Sequence, residues 1–585
     1  MTSLYTYGHR GKLFPLIEAL TFKSNILEGR EIIDALAFIK KHKNDTIYEN
    51  PPFTGEEALH KYTYEITILE TLLQHLKCKT IWVEGAYRYQ DPDRDMPQDF
   101  DEAFDDYCEM LNLPTGGREF IETLQGKHEQ ALKALNDNLP LNDKVKIKEG
   151  KRGVRIKIAK SKPQKKPTFL KVLQQRVKKR WNTISLLDFL KETDLRVHFT
   201  DALVTLGTRD SIESGSLKKR LLLCIYGIGS NTGLVRISAA NDDASYDDLK
   251  YTKSRYLYKD NIKAATVKVI NGILRIRDPK VWGEVTTGVS CDSKHISSWD
   301  QNLMSEWHQR YHKQGVMVYW HVDKKSMVVH SKLKTCLSSE VGAMLEGILR
   351  HDTKMNIDKA YMDTHGQSVI GFGIGYCLHV ALLPRLKRIH LQKLYGSKGD
   401  YANIQKIFKG GICWKLIEEN YCEVLRVVAA LKVGTVDADG VIKRFSKDNF
   451  DHPVYRALNE IGKAVKTLFL CDYLSSEDLR VEIHDSLNVV ERVNSIMGFI
   501  FYGKLGEIST NNKDAQELAI ACLHLLQVSM VYINTLIIQE SLKTWKGKLT
   551  AEDMRALTPL IHSHINPYGL FPLNMNERLE IEEAA

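Results

Sequence analysis

The chain has 585 residues, 43% hydrophobic and 26% charged; this composition excludes wholesale disorder and collagen-like or low-complexity architecture. Its net charge of +9 is concentrated, because residues 144–180 carry 16 Lys or Arg against one acid, Glu149, a net of +15 that leaves −6 elsewhere. The ten cysteines include no C-x-x-C pair, which excludes a zinc ribbon or finger and a disulfide framework and suits a reducing cytosol.

The first 140 residues are expected to be mostly helical, with apolar positions at helical spacing over 56–76 and a short strand-like run at 80–83. No apolar stretch of secretory type opens the sequence. Residues 91–109 hold nine acids and one base. Against the basic segment, this asymmetry points to a polyanion partner, with phosphate the leading candidate.

Within the basic segment, two alternating runs at 144–148 and 154–158 flank Gly150 and Gly153, predicting a β-hairpin with one cationic face. Lys144, Lys146, Lys148, Arg152, Arg155 and Lys157 on the hairpin are candidate DNA-binding residues. So are Lys178, Lys179 and Arg180, which end the basic helix after the linker 161–167. Cations so arranged release counterions condensed on a phosphate backbone. The alternative is a solvated surface hairpin, and charge alone does not separate DNA from RNA.

Residues 183–280 are again largely helical. A strand-like run at 221–226 leads into Gly227, Gly229 and Gly233, whose G-x-G-x-x-x-G spacing and lack of a following acidic strand end argue against a dinucleotide site. A tight turn between buried helices is expected instead.

From about Val285 the pattern changes. A strand over 285–291 leads into Asp292, and strands 315–322 and 327–333 form a hairpin about the turn 323–326. An amphipathic helix (338–349) and a strand (357–362) ending in Asp363 follow. An apolar helix from Ser368, with Gly371 and Gly375 allowing close packing, precedes a strand at 380–386. This succession predicts an α/β RNase H-like catalytic domain, embedded in a mostly α-helical multidomain chain. Asp292 would end the first strand and Asp363 the fourth, side by side. Paired carboxylates suit a hard cation such as Mg²⁺. A third carboxylate is expected from Glu491, about 100° round a helix from Val490 in the stripe Leu487, Val490, Val493 and Met497. His308 and His312, four apart on an expected helix, lack the glutamate of H-E-x-x-H. Residues 518–538 are expected to form a buried helix rather than a membrane span.

These residues carry a family resemblance. The stretch from Trp282 to Asp292, Tyr361 to Gly366, and Leu487, Asn488, Glu491, Gly506 and Glu507 resemble the three acidic motifs of transposases of the Tn-three family. Leu383 to Arg385 resembles the basic strand after the second motif. The stretches 423–426, 432–435 and 461–469 resemble that family's helical insertion, while 82–95, 227–234 and 564–566 are also similar. This chain departs from the family at Ser293, Lys294 and His295 after the first aspartate and at Val489, Val490 and Arg492 around the glutamate. Lys463 and Lys466 stand where the family carries arginines.

The resemblance implies a DDE-type DNA transposase in which Asp292, Asp363 and Glu491 are catalytic and hold two Mg²⁺ ions, Mn²⁺ being able to substitute. Arg385 joins the DNA-binding candidates. The implied reaction is hydrolysis at the transposon 3′ end followed by strand transfer into target DNA. The implied partner is double-stranded DNA (terminal inverted repeats and target), bound by a homodimer at the nucleoid in a bacterial cytoplasm, with no membrane. Family members commonly extend several hundred residues further upstream, so the chain resembles a member lacking much of that part. Two alternatives follow: a truncated, catalytically impaired DNA-binding remnant, or an RNase H-like nuclease without strand transfer. The expected segments are 1–140 helical, 141–182 basic hairpin and linker, 183–280 helical linker domain, and 281–395 first part of the core. The helical insertion then spans 396–480, the glutamate helix and its successor 481–545, and the tail 546–585.

Overall fold

The computed structural model describes residues 91–581, apart from 151–152, 160–166, 206–211, 300–301, 303–304, 337, 397–400, 445–451, 544, 546–548 and 570–571, with short pieces before residue 91. The chain forms two units, Met1–Thr123 with Cys413–Ile461, and Leu124–Ile412 with Gly462–Ala585.

In the first unit, strand Ile81–Val83 pairs antiparallel with Leu4–Thr6, so the run at 80–83 is a strand as expected. The helix expected over 56–76 is interrupted, because Ala58–Leu59 pairs with Phe53–Thr54; helix is present at Ile68, Leu69, Leu72 and Leu76. Helices Phe104–Leu111 and Tyr421–Val433 pack together. The Tyr421 hydroxyl donates to the Pro114 carbonyl (2.6 Å), and Arg426 pairs with Asp101 (2.6 Å), in the middle of the acidic segment.

The first strands of the second unit, after the helix that ends at Asn138, are β1 (Val145–Gly150) and β2 (Gly153–Ile158), antiparallel as the alternation predicts. Lys146 stands opposite Lys157 and Lys148 opposite Arg155, and opposed residues share a face. All four cations are exposed, whereas Val145 and Ile156 on the other face are buried. Arg152 and the linker 161–166 lie outside the described residues. Helix α1 (Phe169–Trp181) follows, its apolar side anchored by Phe169, Leu173 and Val177.

Helix α2 (Ser214–Gly229) contains residues 221–226, which are therefore not a strand. The run is continuously apolar because the helix is buried on every side, and such a run has no period to betray it. The expected tight turn is present: Gly233 has φ +85° and the chain re-enters a helix at Leu234.

A six-stranded sheet follows, whose main path is β3 (Gly288–Ser297), β4 (Lys313–Asp323), β5 (Val328–Lys334), β6 (Lys359–Met362) and β7 (Ala381–Pro384), in the order β5-β4-β3-β6-β7, with the short strand Glu306–His308 paired to β4 off this path. Strand β4 runs antiparallel to both β3 and β5, while β6 runs parallel to both β3 and β7. Helix α3 (Glu340–Leu349), capped by Ser339, connects β5 to β6, and α4 (Val369–Cys377), capped by Ser368, connects β6 to β7. Gly371 and Gly375 allow α4 to approach its neighbours closely; a Cβ at Gly375 would stand 2.9 Å from the Val380 carbonyl oxygen. His308 belongs to the strand Glu306–His308, which pairs antiparallel with the start of β4, and His312 turns the chain at φ +49°. Their spacing of four is thus a hairpin turn, not one helical face.

Both faces of the sheet are covered. His321 of β4 reaches the Met344 carbonyl on α3 (3.0 Å), and its neighbour Trp320 meets His524 on the opposite face. His524 lies on α6 (Lys513–Lys543), and between the sheet and α6 in sequence runs α5 (Glu477–Ile500). Helix α6 is the one described helix long and apolar enough to cross a membrane, yet 94% of its most apolar window is buried inside the protein, against α2, helix Lys259–Ile276 and β5.

Burial pushes the imidazoles of His321 and His524 down to about 4, against the opposing pull of their bonds to the Met344 and Val328 carbonyls. Both are therefore neutral in the fold, whereas an unfolded chain takes up protons below about 6.5. Stability from these groups is complete above that pH and is lost as pH falls toward 4, by up to roughly 3 kcal/mol each. Melting midpoints measured from pH 8 to pH 4 are expected to drop below pH 6.5, less steeply in His524→Gln; identical slopes would show that the ring titrates freely in the folded state.

Candidate active site

Asp292 does not end its strand, as the sequence had suggested: β3 continues five residues further to Ser297, because β4 accompanies it as far as Gly315. The parallel neighbour stops earlier. Met362, the last residue of β6, pairs with Cys291, so Asp292 is the first position at which β3 loses its neighbour on that side. Asp363 follows Met362 directly and opens the short turn Thr364–Gln367. The register thus sets the two aspartates one step beyond the same paired rung. Residues 288–291 are buried and 292–295 half-buried, so the carboxylate lies where the strand emerges.

Asp292 pairs with Trp320, and its side chain therefore shares Trp320's face, the one covered by α5 and α6. There the Asn494 amide donates to Asp292 Oδ2 (3.3 Å), and Lys294, two residues along the same face, donates to the Asn494 carbonyl (2.6 Å). Ser293, on the opposite face, donates to Glu340 on α3 (2.7 Å). Helix α5 crosses β3 with Leu487, Val490, Val493 and Met497 buried, as the stripe predicts, and Glu491 exposed on the flank.

The electrostatics tie these acids together. The Asp292 carboxyl is pushed up to about 6, chiefly by burial; the Ser293 amide opposes this, and the charges of Glu340, Asp363 and Glu491 add to it. Among the described residues no cation pairs with Asp292 or Glu491. Asp363 differs. Burial would raise it, but the Thr364 amide, Arg385 and Lys387 together hold it below the usual carboxylate range. Arg385 reaches Asp363 Oδ1 through Nη2 (3.0 Å) and Nε (3.2 Å), and Lys387 reaches Oδ2 (3.4 Å).

An all-oxygen donor set suits a hard divalent cation. A buried carboxylate raised by three acidic neighbours and lacking a counter-cation is where such an ion would supply compensation. Among the described residues, however, no three His, Cys, Asp or Glu side chains stand close enough to hold one ion. Asp363 is instead drawn to Arg385 and Lys387.

Of the basic candidates, Lys144, Lys146, Lys148, Arg155, Lys157, Lys178 and Lys179 are exposed. Arg180 is not a free cation, since its guanidinium pairs with Glu540 of α6. Arg385 lies on the carboxylate site rather than with the hairpin. Sequence reasoning missed Asn494, Lys387, Lys294 and Glu340. Only Asn494 left a trace, three residues after Glu491 and so on the same side of α5.

The turn 230–233 serves this site too: Asn231 Nδ2 donates to the carbonyls of Gly503 (2.8 Å) and Glu507 (2.9 Å), pinning the loop that follows α5. Gly503 is required there, as a Cβ would stand 2.3 Å from the Asn231 backbone.

A mixed sheet covered by helices on both faces, with Asp292 and Asp363 at adjoining strand positions and Arg385 and Lys387 at the rim, defines an α/β protein with an acidic site. The Tn3 transposase DDE domain matches residues 188–571, and the chain belongs to that family. It is 24% identical over 569 residues to the transposase for transposon Tn1546 of Enterococcus faecium, covering 96% of this chain and 56% of that protein. It is 25% identical over 540 residues to the transposase for transposon gamma-delta of Escherichia coli (strain K12), covering 90% and 53%. With the transposase for transposon Tn501 of Pseudomonas aeruginosa it shares 24% over 549 residues. The chain spans about half the length of the curated relatives it matches.

Asn494→Ala would leave Asp292 without its orienting amide. Loss of such an outer partner typically lowers metal affinity or activity about 10–100-fold. The expected result is that loss with unchanged DNA affinity, read by metal titration and a cleavage assay; near wild-type values would reduce Asn494 to packing.

Proposed function

We propose that this chain carries the catalytic part of a DDE-type DNA transposase, with an RNase H-like core formed by 281–395 and 481–545 around the insertion 396–480. The observation that carries this reading is the register Cys291–Met362, which brings Asp292 and Asp363 together on a sheet crossed by the helix of Glu491. Asp292, Asp363 and Glu491 would hold divalent cations, Mg²⁺ by preference. When bound, such ions activate a water and stabilise a leaving oxygen.

The chain's own residues do the rest. Asn494 orients Asp292. Arg385 and Lys387, which pair with Asp363, would meet the phosphates of the strand being cut. Hydrolysis of a phosphodiester at the transposon end frees a 3′-OH. That hydroxyl attacks a target phosphodiester, forming a new P–O bond as the target's own 3′ oxygen leaves. The exposed cations of the hairpin and α1 hold double-stranded DNA, terminal repeats and target alike. Because two ends must be cut and joined, the working form is a dimer on DNA, in the bacterial cytoplasm at the nucleoid.

One observation favours the second reading, a catalytically impaired DNA-binding remnant: Asp363 is already neutralised by two cations. Incubation with Mg²⁺ and a labelled duplex bearing the element's terminal repeat separates the readings. The transposase gives 3′ nicks and joined molecules, a simple nuclease gives nicks only, and the remnant binds without cutting.

A further inference from the structure

Arg385 also leads away from the carboxylates, toward a second cationic site. Gln367, the last residue of the turn opened by Asp363, donates to the Arg385 carbonyl (3.4 Å). Its side-chain oxygen accepts from Gln392 (3.0 Å) and its carbonyl from Lys466 (3.5 Å). Beyond these contacts opens a cleft of about 540 Å³, lined by Lys393, Lys409, Lys466, Tyr395 and Phe408 and, among the described residues, by no carboxylate. Burial, with Lys409 nearby, lowers the pKa of Lys466, the mark of a cation short of compensating charge. The other end of this region meets the hairpin: β2 packs against Ile389–Leu391 and Gln405–Ile407, and Glu149 pairs with Lys406 (2.7 Å). Cations therefore run from the hairpin, past the cleft, to Asp363.

We infer that this cleft holds an unpaired stretch of the DNA strand whose phosphodiester lies at Asp363, with its phosphates on Lys393, Lys409 and Lys466 and a base against Tyr395 and Phe408. The inference rests on the proposed transposase function and names how the substrate strand leaves the carboxylates. Three features select a single strand over a duplex. The cleft's volume, about 540 Å³, is that of a small-ligand site, room for part of one strand rather than for a double helix. Two aromatic side chains, Tyr395 and Phe408, stand in its lining among the lysines, and a base offers its face to a side chain only when unstacked from its neighbours. It also adjoins the turn that Asp363 opens: Gln367, four residues on and about 8 Å along a 3₁₀ turn at roughly 2 Å per residue, bonds Gln392 and Lys466 of the cleft lining, so a strand at Asp363 has a short path to it.

Binding measured in EDTA tests this without any cleavage. The probes are a blunt duplex and the same duplex with a short unpaired arm, titrated with salt against wild type and the Lys393→Ala/Lys409→Ala/Lys466→Ala variant. Three phosphate contacts on a single strand, at about 0.7 units of log–log slope each, predict a slope flatter by about two units on the forked probe and unchanged on the blunt one. A fluorescent base analogue in the arm should lose its quenching in Tyr395→Leu. If the triple variant does not fold, Lys409→Ala at an exposed position carries the test, with about 0.7 units. Equal slopes for variant and wild type on the forked probe would overturn the assignment. An equal loss on both probes would also overturn it, as that would make the cleft a duplex-backbone contact. An inactive carboxylate trio would leave the binding result untouched, and an active transposase with an unchanged slope would remove only the cleft.

Discussion

Asp292→Asn, Asp363→Asn and Glu491→Gln each abolish Mg²⁺-dependent cleavage, with losses greater than the roughly 100-fold expected when only an outer partner of a ligand is removed. The three acids are not equivalent in the fold, and the variants should differ accordingly. Asp292 is the raised, half-buried carboxylate without a counter-cation, so its amide is isosteric and relieves like-charge repulsion; a modest gain in melting temperature should accompany the loss of activity. Asp363→Asn strands Arg385 and Lys387. The freed cations should raise DNA affinity slightly even as cutting stops. Glu491 is exposed and makes no hydrogen bond or ion pair among the described residues, so Glu491→Gln should leave stability and affinity alone. Cleavage, melting and binding measured on the same three proteins check the pattern. Any variant that cuts at near wild-type rate removes that residue from the ligand set.

The sequence made the sheet legible where periodicity and punctuation agreed. The hairpin β4–β5 alternates about a polar turn, Ser339 and Ser368 cap the helices on either side of β6, and Asp363 follows a short apolar run. It misjudged the end of β3. A strand end is set by the neighbouring strand, and β4, twenty residues downstream in sequence, is what carries β3 to Ser297. The same dependence on distant pairing turned the His308 and His312 spacing into a hairpin. Residues 221–226 show the opposite failure, since a helix buried on all sides and a buried strand share one composition. Asn494 and Lys387 could not be singled out because each acts through tertiary register, and Lys294 stood out only as a departure from the family pattern. Only the crossing of α5 over β3 gives an ordinary asparagine a carboxylate to orient. Arg180 looked like a phosphate contact for the same reason in reverse, as its partner Glu540 lies 360 residues away in sequence.

Replacing Lys144, Lys146, Lys148 and Lys157 with alanine flattens the salt dependence of duplex binding by three to four units of log–log slope, because each phosphate contact on duplex DNA contributes about 0.9. The register explains why this hairpin should dominate nonspecific affinity. Lys146 opposes Lys157 and Lys148 opposes Arg155, and like charges directly across a strand pair destabilise it. A bare hairpin with that face costs stability, and a phosphate backbone laid along it removes the cost. The buried face is untouched by the substitutions, since Val145 and Ile156 point the other way; the variant should therefore fold, and it should melt at or above the wild-type temperature. Because Arg180 is held by Glu540, Arg180→Ala is expected to change the slope far less than any one hairpin lysine. A quadruple variant with an unchanged slope would return the hairpin to an ordinary solvated surface and leave Lys178 and Lys179 of α1 to account for binding.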